Sequence, residues 1–220
     1  MAKATQAKGH CYLCGHQTTK GFMSRHLLTE HYKEEEPQAQ SCYLLKIEGY
    51  DVNGYWLFVD MPLTSTLSTL DGFLRSIWLE CCGHMSMFFL PPMDEISMST
   101  KVGRISKGTV LLYMYDFGSS TELKITFVGT VSRKKQRESV RLLARNDPHI
   151  FPCDICGEPA EYVEVDSWEG GFYCQACVDK EDSEIDPDML LPITNSPRMG
   201  VCAYCGEMDN FGYVPGRLKK

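Results

Sequence analysis

The sequence predicts an α+β fold: a mostly antiparallel sheet with one main helix, flanked by small cysteine-rich modules. Three observations carry that expectation. Short alternating apolar runs fill residues 41–146, a single amphipathic run interrupts them, and the eleven cysteines sit mostly as close pairs toward the two ends. A chain of 220 residues has room for one ordinary domain with small satellites. Its 43% hydrophobic and 23% charged content is that of a globular protein. The net charge of −7 argues against a sequence-blind coater of DNA, which carries an excess of Lys and Arg. Met1–Gln6 has no apolar core for a signal peptide, and no apolar run approaches the ~20 residues that span a bilayer. Paired cysteines without those signals point to bound metal rather than disulfides, and to a cytoplasmic location.

Residues 1–36 read as a Cys₂His₂ zinc finger. Cys11-Tyr12-Leu13-Cys14-Gly15 is a metal knuckle, and eleven residues later His26 and His31 follow on a helix. The two histidines are five apart, so the last helical turn must tighten or loosen to aim both rings at one ion. In a DNA-reading finger the base-facing positions fall on Thr19, Phe22 and Arg25. Only Arg25 is a good base reader, because Phe22 has no hydrogen bond to offer. Glu34-Glu35-Glu36-Pro37 closes the module as a solvated linker.

Residues 37–148 read as the α+β domain. Tyr43–Tyr50 and Tyr55–Met61 alternate as strands around an Asn53-Gly54 turn. Leu67, Leu70, Phe73, Leu74, Ile77 and Trp78 recur at helical spacing, with Ser65 or Thr66 as cap. Further strands are expected at His84–Phe89, Thr109–Asp116, Glu122–Val128 and Val140–Arg145. Asp116 caps the hairpin turn that follows, with Gly118 supplying positive φ. Arg133-Lys134-Lys135-Gln136-Arg137 reads as a basic turn. The adjacent Cys81 and Cys82 are too close in sequence to chelate one metal easily, so they read as small buried hydrophobes.

Tyr113-Met114-Tyr115-Asp116-Phe117-Gly118, together with Tyr43–Ile47 and Leu70–Leu74, resembles the plasmid pRiA-four-b ORF-three-like family, whose members are often labelled transposon-passenger proteins of TnpR type. The resemblance covers most of residues 41–146. It implies an α+β fold and an association with mobile elements, but no defined activity. Where the family follows Asp-Phe-Gly with an acidic residue, then Trp and His, this chain has Ser119, Ser120 and Thr121.

Residues 149–181 read as a zinc ribbon. Cys153 and Cys156 face Cys174 and Cys177 across seventeen residues, with an alternating run and a Gly170-Gly171 turn between them. A tetrahedral four-thiolate site suits both zinc and iron, and zinc is the commoner occupant. Residues 182–220 read as an acidic linker and a tail with basic Arg217, Lys219 and Lys220. The tail carries a third knuckle, Cys202-Ala203-Tyr204-Cys205. That pair has three metal options: sharing Cys153 and Cys156, recruiting His149, Cys42 or Cys81, or bridging to a partner chain.

Two zinc ions, with room for a third, on a chain without a nucleophile–base pair suit binding better than turnover. The sequence therefore points to a non-enzymatic zinc protein that recognises a macromolecule, nucleic acid or a nucleoprotein complex first. Its basic contact candidates are Arg25, Arg133, Lys134, Lys135 and Arg137. The alternatives are a protein–protein adaptor with purely structural zinc, and an enzyme with a pocket at His84 and Asp116.

Overall fold

The computed structural model describes residues 7–32, 39–165, 171–180, 183–209 and 211–213. The Glu34–Pro37 linker, Gly170 of the ribbon turn, the first residues of the acidic connector (Glu181 and Asp182) and the basic end Arg217, Lys219 and Lys220 lie outside the described residues.

The elements are β1 (Lys8–Cys11), β2 (Gln17–Thr19), α1 (Lys20–His26), β3 (Ala39–Gly49), β4 (Trp56–Pro62) and α2 (Leu67–Leu74). There follow β5 (Ser86–Leu90), β6 (Asp94–Ile96), β7 (Val110–Tyr115), β8 (Thr121–Lys134) and β9 (Arg141–Asn146). Last come β10 (Tyr162–Glu164), β11 (Phe172–Tyr173), α3 (Gln175–Val178) and β12 (Leu190–Pro192). Among the described residues, nine strands form one antiparallel sheet in the order β2-β1-β9-β4-β3-β8-β7-β5-β6, and three form a second, β11-β10-β12. No helix among the described residues is long and apolar enough to cross a membrane.

The sequence predicts one main helix, whereas two helices of seven and eight residues, α1 and α2, cover opposite faces of the sheet. Strand β4 makes the reason visible. Leu57, Val59 and Met61 join a core with Leu67, Leu70 and Leu74 of α2, while Trp56 and Phe58 join one with Met23 and Leu27 beside the first cysteine knuckle. Successive side chains on a strand point to opposite faces. Every residue of β4 is therefore buried, and its apolar run is continuous rather than alternating. The N-terminal finger is thus part of the main sheet, since β1 pairs with β9 through Gly9–Asn146, His10–Arg145 and Cys11–Ala144.

Strand β8 runs six residues past Val128, where the alternation suggests an end. Leu44 pairs with Gly129 and Leu45 with Phe127, which leaves Val128 as the extra residue of a bulge. The bulge swaps the faces: Phe127 packs on the α2 side and Val131 on the α1 side. Arg133 consequently points inward. It is 3% exposed and its Nε lies 2.9 Å from Oδ1 of the fully buried Asp60, so it is not the surface contact that the basic run suggests. Arg25, Lys134, Lys135 and Arg137 are exposed.

Candidate metal centres

Two Cys-x-x-Cys-Gly knuckles share one backbone design. The Gly15 amide donates to the Cys11 carbonyl and the Cys11 amide to the His16 carbonyl. Gly157 donates to Cys153 and Cys153 to Glu158 in the same way. Both glycines have φ +80°, a left-handed turn that a side chain resists. Around the first knuckle, Cys11, Cys14, His26 and His31 bring four donor atoms within 4.8 Å of one another. The five-residue histidine spacing is solved by loosening, because Leu27–His31 continues α1 as a π-helix. In an α-helix, five residues advance about 500°, leaving the second ring about 140° away from the first. The wider π turn brings both rings to one side. Burial and the adjacent His16 push the His26 pKa down, and burial lowers that of His31, which keeps both rings in the neutral form that coordinates metal.

Around the second knuckle, Cys153, Cys156, Cys174 and Cys177 form a four-sulfur cluster within the same 4.8 Å limit. Strand β11 carries the chain to Cys174, and α3 presents Cys177 one turn later. The Asp154 amide donates to the Phe172 carbonyl and the Phe172 amide to Asp154 Oδ2, locking the knuckle to β11. Burial raises the Cys153 thiol, but hydrogen bonds from the backbone at Cys174, Cys156 and Ile155 outweigh it and bring the pKa to about 6. Burial pushes the neighbouring Cys177 thiol up to about 12 and raises that of Cys174, so Cys153 is the most readily ionised of these three sulfurs.

The spacings fit tetrahedral coordination. Zn–S bonds of about 2.3 Å and Zn–N bonds of about 2.0–2.1 Å give tetrahedral edges of about 3.8 Å between sulfurs and about 3.6 Å between sulfur and nitrogen. Cys11 Sγ is 3.4 Å from His31 Nε2, Cys14 Sγ 3.3 Å from His26 Nε2, and Cys156 Sγ 3.5 Å from Cys174 Sγ.

The third Cys-x-x-Cys-Gly does not build a knuckle. Cys202 has φ +55° and Gly206 φ +126°, and neither knuckle hydrogen bond forms among the described residues. The two thiols part company: Cys205 donates to the Ala203 carbonyl two residues back, while Cys202 joins Cys81, Cys82 and His84 in a third cluster within 4.8 Å. Of the residues considered for this pair, Cys81 is the one the structure places beside Cys202, and Cys205 is not part of that cluster. Cys81 and Cys82 are accordingly not buried hydrophobes; Cys81 is half-buried and Cys82 exposed. His149 packs edge-on to Tyr55, and Cys42 donates to the Gln40 carbonyl.

His84 and Asp116 do meet, with Nε2 and Oδ2 3.6 Å apart. Asp116 Oδ2 also takes a 2.8 Å hydrogen bond from buried Arg198, and Oδ1 caps the amides of Gly118 and Ser119. The positive φ of this turn falls on Asp116 itself, at +65°, and not on Gly118. A groove of about 330 Å³ that no sequence motif marks runs between α1 and the sheet and is lined by Lys20, Gly21, Ser24, Lys46, Lys107 and Thr126. Three lysines from three distant stretches converge there: Lys46 of β3 pairs with Thr126 of β8, the Gly108 amide next to Lys107 donates to the Phe127 carbonyl, and Lys20 reaches Glu48 of β3.

No family model matches the chain, and no curated protein does. Among solved structures it is similar to the crystal structure of a protein of unknown function, MM3350 from Methanosarcina mazei Go1. The two are 18% identical over 48% of this chain and 67% of that one, with a TM-score of 0.41.

Proposed function

We propose that the chain is a non-catalytic zinc protein that binds nucleic acid, alone or within a nucleoprotein complex, along the groove beside its finger helix. The observation that carries this reading is the groove itself: Lys20, Lys46 and Lys107 line it, and α1 forms one wall. Glu48 pairs with Lys20 at 2.5 Å and with Lys46 at 2.7 Å, which holds both ammonium groups in place. Lys107 is exposed at the other wall. Phe22, 67% exposed, stands next along α1, a face for stacking on an unpaired base rather than for reading an edge. Arg25 lies exposed one turn further on. Zinc at the two knuckled sites supplies rigidity, as closed four-ligand sites do. The family resemblance of Tyr113–Gly118, and the link to mobile elements it implies, belong to the same proposal.

Anisotropy titrations of labelled single-stranded RNA and duplex DNA across a salt series test it. Binding should weaken steeply with salt, and Lys20→Gln or Lys107→Gln should each lower the salt slope by about 1. Affinity that ignores salt, or capture of partners from extract that survives nuclease, would instead identify a protein adaptor, the reading that the net charge of −7 favours.

A further inference from the structure

We propose that Cys81, Cys82, His84 and Cys202 form a third metal site, for a soft divalent cation of the zinc class, which clasps the C-terminal segment onto the central domain. Their donor atoms all lie within 4.8 Å of one another. Cys82 Sγ is 3.7 Å from Cys202 Sγ, and Cys202 Sγ is 3.6 Å from His84 Nε2. Those are the sulfur–sulfur and sulfur–nitrogen edges of a tetrahedron around zinc, about 3.8 and 3.6 Å. Three thiolates and one imidazole are a regular structural zinc set.

The local backbone explains how neighbouring cysteines serve one ion. The helical segment ends at Leu79, and Gly83, with φ +72°, folds the chain back so that His84 returns alongside Cys82. The Gly83 amide donates to Glu80 Oε1 at 2.6 Å and fixes that reversal. Cys202 arrives from across the fold in a left-handed conformation, φ +55°, that a non-glycine residue adopts at a cost. Outside the cluster, Arg198 is fully buried and donates to Cys81 Sγ at 3.4 Å and to Asp116 Oδ2 at 2.8 Å. Such an outer cation steadies a thiolate and fixes its direction. A disulfide would use two of the three sulfurs and strand the third beside an imidazole. A metal uses all four donors.

The site also closes something. Ser196 Oγ donates to the Trp78 carbonyl, and the Met208 amide to the Ser76 carbonyl, so the segment around Cys202 lies along the helical stretch that precedes Cys81. The metal fastens the middle of that strap.

The test is metal content of the full-length chain purified from zinc-supplemented expression under reducing conditions, by native mass spectrometry. The wild type should carry three ions, one for each cluster. The double variant Cys82→Ser/His84→Ala should lose one ion, and Cys205→Ser should lose none. Cys82 is exposed, so its replacement removes no buried side chain. Alkylation of the wild-type chain gives an independent reading that needs no variant. Cys82 should resist modification until a chelator is added, whereas Cys205, also exposed, reacts from the start. Two ions on the wild type, a Cys82–Cys202 disulfide under these conditions, or immediate alkylation of Cys82 would each overturn the site. None of these outcomes depends on nucleic-acid binding, so this proposal and the preceding one fail separately.

Discussion

At Asp60 a fully buried carboxylate meets two guanidinium groups and a phenol. Arg133 Nε lies 2.9 Å from Oδ1, while Arg141 Nη2 and the Tyr32 hydroxyl each lie 2.5 Å from Oδ2. Removing the carboxylate leaves two cations in the interior without a counter-charge, a change that costs about 3–5 kcal/mol. Asp60→Ala should therefore lower the free energy of unfolding by about that amount in urea denaturation. Arg133→Gln should also destabilise, yet leave the salt slope of nucleic-acid binding unchanged. A change in slope at unchanged stability would return Arg133 to the surface. Neither partner is legible alone. Asp60 hides in an apolar strand, Val59-Asp60-Met61, and Arg133 hides in a basic run where Lys134, Lys135 and Arg137 really are exposed. The alternation of β8 separates inward Arg133 from outward Lys134, with its phase reset by the bulge at Val128, while Lys135 and Arg137 lie beyond the strand's end.

Elements built on local chemistry were open to reading in advance, and those built on long-range pairing were not. The two knuckles announce themselves because a left-handed Gly after Cys-x-x-Cys closes the turn within six residues of sequence. The strands β3, β4, β7 and β9 follow from apolar runs between turn residues. The third Cys-x-x-Cys misled for the converse reason: its motif is intact, but the Tyr204 hydroxyl between its cysteines donates to the Ile77 carbonyl of the helical stretch after α2, and Cys202 lies with Cys81, Cys82 and His84 rather than with Cys205. The docking of β1 on β9 had no signal beyond one residue. A Cβ at Gly9 would land on the backbone carbonyl of Arg145 in the paired strand. Only glycine permits that approach. Gly9→Val should therefore peel β1 from the sheet edge, at a cost of about 1–3 kcal/mol. Hydrogen exchange should show faster amides at Tyr12 and Asp147, which bond across this seam to Leu143 and Lys8, with β3 and β8 unaffected. Unchanged protection at Tyr12 would mean that the finger is held by its apolar contacts alone.

Across the described residues, the donor clusters and the apolar core are unevenly distributed, and with zinc in the clusters, as proposed above, the division predicts how the chain comes apart. The large core between α2 and strands β3, β4, β7 and β8 contains no member of the three donor clusters among its fully buried residues. The finger stands midway, since Cys11 shares a core with Met23, Leu27 and Trp56. The ribbon stands at the far extreme, for among its described residues the core cluster is Cys153, Cys174 and Cys177 themselves, with Ala160 against them. A segment with so little apolar burial cannot offset the entropy of ordering its backbone without its ion. A strong chelator should therefore unfold the protein in stages. Amides of the ribbon, such as Gly157 and Asp154, should lose exchange protection first. Those of the finger should lose part of theirs, because Met23 and Leu27 stay anchored. Those of β3 and β8 should keep theirs until denaturant is added. Re-addition of zinc should restore the ribbon without refolding the sheet. A single cooperative loss of all these amides on chelation would show that the central core leans on the metals too, and the assignment of rigidity to separate closed sites would fall with it.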